Sequence, residues 1–204
     1  MIDRIHWLGH AAFRITNGKV IYIDPYKINH DSPKADLILI THDHFDHFSK
    51  EDIIKIKKKE TVFVAPPSVA KALDGDVRPV KRGQRIKVGD IDIQAVAAYN
   101  IGKDFHPRSS DNVGYVVTIE GTRIYHTGDT DVIPEMKEIK TDIALLPCGG
   151  TYTLTAQEAA KAVDIIKPKI AVPMHWGSVV GSRKDAEEFV RCCKNCEVRI
   201  LEKE

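Results

Sequence analysis

The sequence predicts a mixed α/β domain with sheets inside and helices outside. Three observations carry this. The short apolar runs Asp36–Ile40, Ile143–Leu146 and Ile170–Val172 have the character of strands buried on both faces. The stretches "RIKVGDIDIQAVAA" and "VGYVVTIEGTRIYH" alternate apolar and polar residues and are punctuated by Gly83, Gly89 and Gly121, as antiparallel strands are. Helix-spaced segments with capping residues separate the apolar runs.

The elements follow in order. Ile2–Leu8 and Ala12–Thr16 read as strands, and Asn17-Gly18 turns the chain into Val20–Ile23. After Asp36–Ile40, a helix is expected over Ser49–Lys59, with Ser49 as cap, Asp52 in the first turn and Ile53, Ile54 and Ile56 to one side. Thr61–Ala65 is a strand stopped by Pro66-Pro67, and Ser68–Leu73 a short helix. A helix from Thr155 has Glu158 in capping-box position and an apolar side of Ala159, Ala162, Val163 and Ile166. A last helix, Ser182–Lys194, precedes a strand at Val198–Leu201. No linker, repeat or low-complexity tract interrupts residues 1–204, so one domain is expected.

Composition narrows the function. Hydrophobic residues are 43% and charged residues 29%, ordinary for a globular chain. Lys plus Arg is 30 against 29 for Asp plus Glu, so charge gives no argument for nucleic acid or an anionic membrane. "KIKKK" at Lys55–Lys59 reads as a solvated helix face. Asp3 and Arg4 follow Met1 with no apolar core of a signal peptide, and no run is long enough to span a bilayer, so a cytoplasmic location is expected. Cys148, Cys192, Cys193 and Cys196 are not spaced as a disulfide framework and read as thiols on packing faces.

The chemistry lies beyond the strand ends. "LILI" runs into "THDHFDH", "RIYH" into "TGDTD", and "IAVP" into "MHWGS". Strand ends are rigid platforms, and the loops leaving them are free to carry function. Three histidines and two aspartates fall within His42–His47. Imidazole and carboxylate suit Zn²⁺ and its neighbours. A polar loop capping the next helix accounts for Asp46 at most.

"THDHFDH" resembles the H-x-H-x-D-H motif of metallo-β-lactamase-fold hydrolases. "WLGHAAF" looks like the opening of the lactonase-like branch, the ascorbate-6-phosphate lactonase relatives and uncharacterised Zn-dependent hydrolases. "YHTGDT" and "VPMHWGS" resemble the segments that carry the family's bridging aspartate and last histidine. The resemblance implies a four-layer αββα sandwich. It implies one metal on His42 and His44, a second on Asp46, His47 and His175, and Asp129 between them. It implies Zn²⁺, one or two per chain, with Mn²⁺ or Fe²⁺ as alternatives, and Asp46 orienting a nucleophilic water.

One departure stands out. Family members supply a third histidine to the first metal, but here the strand ends "AVAAYN", with Tyr99-Asn100 at that place. Either His106 is brought in by a shifted loop, the preferred reading, or the first metal lacks a protein ligand. His106 as a loop residue fixed by Pro107 is the alternative. His10 is a catalytic candidate beside Asp46, contacting substrate or shuttling a proton, with a hydrogen-bonded structural histidine as competitor. Asp24 is expected to buttress the histidine loop, and His126 to orient Asp129. His6 and His30 read as structural or exposed, and Trp176 as pocket wall or core.

The leading expectation is a metal-dependent hydrolase of a small lactone or phosphate ester. The alternatives are a nuclease, a diiron redox domain, and a non-catalytic metal-binding module. The partner expected is a small molecule, with self-assembly allowed and neither nucleic acid nor membrane.

Overall fold

The chain forms two sheets stacked face to face in the computed structural model, which describes residues 1–204. The first comprises β1 (Ile5–Gly9), β2 (Ala12–Thr16), β3 (Val20–Ile23), β4 (Leu37–Leu39), β5 (Val62–Ala65) and β6 (Asp76–Pro79), in that spatial order. The first three are antiparallel neighbours, and β3 to β6 are parallel. The second comprises β7 (Arg85–Val88), β8 (Ile91–Ala97), β9 (Val113–Ile119), β10 (Thr122–His126), β11 (Ile143–Pro147), β12 (Ile170–Met174) and β13 (Glu197–Val198). Its first four strands form an antiparallel meander, and β10 to β13 are parallel.

Alternation along the strands explains the layers. In β2 to β5, Phe13, Ile15, Ile21, Ile23, Leu37, Leu39 and Val64 face the core between the sheets. Their neighbours Ala12, Tyr22, Ile38, Phe63 and Ala65 face a second core under the helices. That core is closed by Ile53 and Ile56 of α1 (Lys50–Ile56) and Val69 of α2 (Pro67–Ala70). On the far side, α3 (Ala156–Ile166) packs on β11 and α4 (Arg183–Cys192) on β12. The result is the four-layer αββα sandwich expected from the sequence. No helix is long and apolar enough to cross a membrane.

The helix caps form as read. Ser49 accepts from the Asp52 N–H, and Thr155 and Glu158 complete a capping box on α3. Several boundaries move. The first strand starts at Ile5 because Met1–Arg4 closes a 3₁₀ turn, with Arg4 N–H donating to Met1 O at 2.9 Å. α1 ends at Ile56, not Lys59, because Thr61 Oγ1 takes the Lys58 N–H at 2.9 Å. Lys57–Lys59 are therefore an exposed turn rather than a helix face. α2 begins one residue early, since Pro67 is preset for a helix's first position. The last strand is Glu197–Val198, not Val198–Leu201, as those residues pair with Ile170 and Ala171. All four cysteines are free; Cys148 and Cys193 are buried and the other two half-buried.

Candidate metal centre

Four loops build one cleft. The loop after β4 carries His42, His44, Asp46 and His47; that after β8 carries His106; those after β10 and β12 carry Asp129 and His175. Parallel neighbours bring the ends of β10 and β12 to one edge of their sheet. The sheets meet there: Val113 N–H donates to Thr41 O at 3.0 Å, and His175 N–H to His10 O at 2.8 Å.

The donors converge on Asp129. Its Oδ1 lies 3.3 Å from His47 Nε2. Its Oδ2 lies 3.1 Å from His175 Nε2, 3.3 Å from His106 Nε2 and 3.9 Å from His42 Nε2. On one side, His44 Nδ1 is 3.1 Å from His42 Nε2 and 3.0 Å from His106 Nε2. On the other, Asp46 Oδ2 is 3.8 Å from His47 Nε2 and 3.9 Å from His175 Nε2.

Groups behind the donors aim them. Asp24, fully buried, accepts from Thr41 N at 2.8 Å and Thr41 Oγ1 at 2.6 Å, and holds His47 Nδ1 at 2.7 Å. Thr41 Oγ1 is 2.9 Å from His42 Nδ1. Both imidazoles thus present Nε2 to the cleft, as metal-ligating histidines do. His126 does not touch Asp129. Its Nε2 donates to Ala11 O at 2.9 Å, and its Nδ1 accepts the Gly128 N–H at 3.1 Å, so it shapes the turn before Asp129. Gly128 itself has φ +63°, and a Cβ there would lie 2.8 Å from Val113 O. Asp24→Asn is expected to lower metal affinity about 10- to 100-fold, measured against a chromogenic chelator.

His106 reaches the cleft because its loop doubles back. Asn100 N–H donates to His106 O at 2.8 Å, and Asn100 Nδ2 to Phe105 O at 2.9 Å and Tyr152 O at 2.7 Å. His106 then sits at φ +56° with its ring between Asp129 and His44. The loop is held from below by Arg82. Its guanidinium donates to the carbonyls of Asn112 (3.0 Å), Arg108 (2.8 Å), Ser110 (2.7 Å) and Ala98 (3.4 Å) and lies 5.7 Å from the Tyr99 ring centre. Nothing in "VKRGQ" announces this, because the acceptors are backbone atoms far along the chain.

His10 is only 1% exposed and sits behind Asp46, out of the cleft. Its Nε2 is 2.8 Å from Asp46 Oδ2, and its ring lies 3.9 Å from that of His175. It does not line the cleft, and its contacts support the competing reading of a hydrogen-bonded histidine that holds Asp46. Trp176 is core, stacked on Trp7 at 4.3 Å. His6 pairs with Thr16 and Glu204, and His30 is exposed.

The site fits a metal. His47 Nε2, His175 Nε2 and Asp129 Oδ1 are buried, face one another and lack hydrogen bonds. A buried polar atom without a partner costs about 1–3 kcal/mol, and a cation among these would satisfy them together. Eight residues fall into three overlapping groups able to hold an ion: His42, His44 and His106; His10, Asp46, His47 and His175; and His42, His47 and Asp129. Charge agrees. Burial pushes the Asp46 carboxyl up, but the His10 hydrogen bond and His47 outweigh it and bring its pKa to about 2. Burial lowers His47, yet Asp129 and Asp24 raise it well above the usual imidazole range. The metal-free protein therefore keeps a proton on His47 as pH rises past that range, and a cation must displace it. Adding Zn²⁺ at pH 7 is expected to release protons into weak buffer, read with an indicator dye, and affinity is expected to weaken as pH falls.

The sequence profile of the β-lactamase superfamily domain matches residues 4–175. The chain belongs to the metallo-β-lactamase superfamily. Within it, the UPF0173 protein of Pyrococcus abyssi is 39% identical over 210 residues, covering 98% of this chain and 95% of that one. The UPF0173 metal-dependent hydrolase of Archaeoglobus fulgidus is 32% identical, covering 94% and 90%. A crystal structure from Parabacteroides distasonis, assigned as a metal-dependent hydrolase, superposes with a TM-score of 0.88 at 36% identity, covering 98% and 93%. The metallo hydrolase Igni18 of Ignicoccus hospitalis, at 24% identity and TM-score 0.81, shares the fold. This metallo-β-lactamase superfamily member is a metal-dependent hydrolase. Sequence reasoning missed Arg82, Asn100 and Tyr152, whose roles at the site arise from backbone atoms and loop packing.

Proposed function

We propose that the protein hydrolyses a small uncharged lactone or ester, in preference to a phosphate ester, with Zn²⁺ as its metal. The observation that carries the substrate choice is the cleft lining. Beside the donors it holds Asp43, Phe45, Phe105, Tyr152 and Val179, and no lysine or arginine. Sites that stabilise a phosphoryl group recruit cationic clamps, which this lining lacks.

His42, His44 and His106 would hold one ion, and Asp46, His47 and His175 a second, with Asp129 between them. The same imidazole and carboxylate donors accept Mn²⁺ or Fe²⁺. When bound, the metal supplies Lewis acidity for a carbonyl oxygen and lowers the pKa of water to about 7. Asp46, ionised across the working pH range, orients the attacking water. His10 holds Asp46 in place, and Asp24 holds His47. Phe45, Phe105 and Tyr152 restrict bulk water around the reacting carbonyl.

Zinc-loaded and chelator-stripped protein are compared on lactones, carboxylic esters, phosphomonoesters and phosphodiesters. Turnover is expected on the first two classes, lost on stripping and restored by Zn²⁺. Full loading with no lactone or ester turnover, or faster phosphodiester cleavage, overturns the proposal.

A further inference from the structure

Seven large hydrophobic residues are exposed on this chain, and three of them, Phe45 (65%), Phe105 (48%) and Val179 (39%), line the metal cleft. The clustering is not a folding requirement. Both core layers are filled by other residues, and none of the three belongs to either. Exposed apolar side chains gathered at one concave site mark a binding surface.

Each wall residue rides on a loop that carries a metal donor. Phe45 lies between His44 and Asp46, Phe105 precedes His106, and Val179 follows His175 by four residues. Tyr152, half-buried, joins them: its ring meets Phe105 edge-on at 4.8 Å between centres. Phe45 is braced in the same way by Tyr26 at 6.0 Å. Each phenylalanine ring thus has an aromatic neighbour at the mouth. The cavity they enclose with the donors is about 400 Å³, larger than a bare ester group needs.

We infer that this wall is a subsite for an alkyl or other apolar arm of the substrate, attached next to the bond that is cut. The inference rests on the hydrolase reading and adds the substrate's second half. Its basis is continuity: Phe45, Phe105 and Val179 line the same cavity as His44, Asp46, His106, Asp129 and His175, on the loops that carry them. The lining offers an apolar arm no cation to desolvate, and its one acid beyond the donors, Asp43, is exposed at the rim.

The test uses binding as well as turnover. Unreactive N-methylalkanamides from acetyl to decanoyl are titrated calorimetrically into zinc-loaded protein and into a Phe45→Ala/Phe105→Ala double variant. Both side chains are exposed, so the fold should tolerate their loss. Affinity is expected to rise about two- to fourfold per methylene until the cavity is full, with an increasingly negative heat-capacity change. The double variant is expected to flatten that slope. Lactones of matching chain length should show the same trend in KM.

Flat affinity along the series, or an unchanged slope in the double variant, overturns the inference. So does a wild-type dimer at micromolar concentration that the double variant abolishes, since a second copy would then be the occupant. The hydrolase reading fails separately. Loaded protein that is inert on every ester and lactone but keeps the amide slope refutes turnover and supports the apolar subsite. Turnover of short lactones with no chain-length dependence does the reverse.

Discussion

Asp129→Ala is expected to lower kcat by on the order of 10³-fold or more and to strip much of the bound metal. Asp129 is the one carboxylate within 4 Å of imidazoles from both donor groups: His42 and His106 on one side, His47 and His175 on the other. Lewis-acid stabilisation contributes several kcal/mol to a transition state, and each 1.36 kcal/mol is tenfold in rate. Removing the carboxylate also takes away the one anion that all four rings share. His175 and His47 hold Asp129 well below the usual carboxylate range against the opposing effect of burial, so it is charged at every working pH. Asp129→Asn keeps the volume and removes the charge, and is expected to behave like alanine. Elemental analysis and steady-state kinetics on the same preparations check this. Activity within tenfold of wild type, at undiminished metal content, would place the reacting centre elsewhere.

Arg82→Ala is expected to destabilise the protein by about 2–3 kcal/mol, removing charge-assisted hydrogen bonds to four backbone carbonyls. For a chain of this size that is a fall in Tm of roughly 4–12 °C. The more telling effect is on metal. Arg82 touches no donor, yet it fastens Ala98, Arg108, Ser110 and Asn112 around the loop that carries His106. Under the proposed assignment, loosening that loop should weaken binding of an ion at His42, His44 and His106 and spare binding at Asp46, His47 and His175. Arg82→Lys keeps the charge but not the planar fork, and should restore little. Calorimetric unfolding and a two-phase metal titration would detect both effects. A variant with wild-type Tm and both phases intact would show that the loop holds its shape without Arg82.

Most of the imidazoles and carboxylates that the structure brings together were legible in the residues. "HDHFDH" placed four donors in a loop directly after a buried strand, and two other strands ended in an aspartate and a histidine. The pattern is local, because a donor must leave a rigid strand within a few residues to be held in place. His106 was harder. The residue at the expected place is Asn100, which is not a donor in the cleft but the anchor that folds His106 back into it. His10 was read from its neighbourhood to the cleft, and tertiary packing turned its ring onto Asp46 and His175 instead. Short-range boundaries failed where a side chain competed with the backbone pattern, as Thr61 does at the end of α1.

The sequence by itself determined the layers, the caps and most of the side chains that converge in the cleft, because period-two burial and residue chemistry are written in neighbouring positions. Only the tertiary structure decided which nitrogen each imidazole turns to the cleft, how the His106 loop is latched, and that Phe45, Phe105 and Val179 share one wall. Those depend on hydrogen bonds and contacts between residues tens of positions apart, and such distances are set only when the two sheets close on each other.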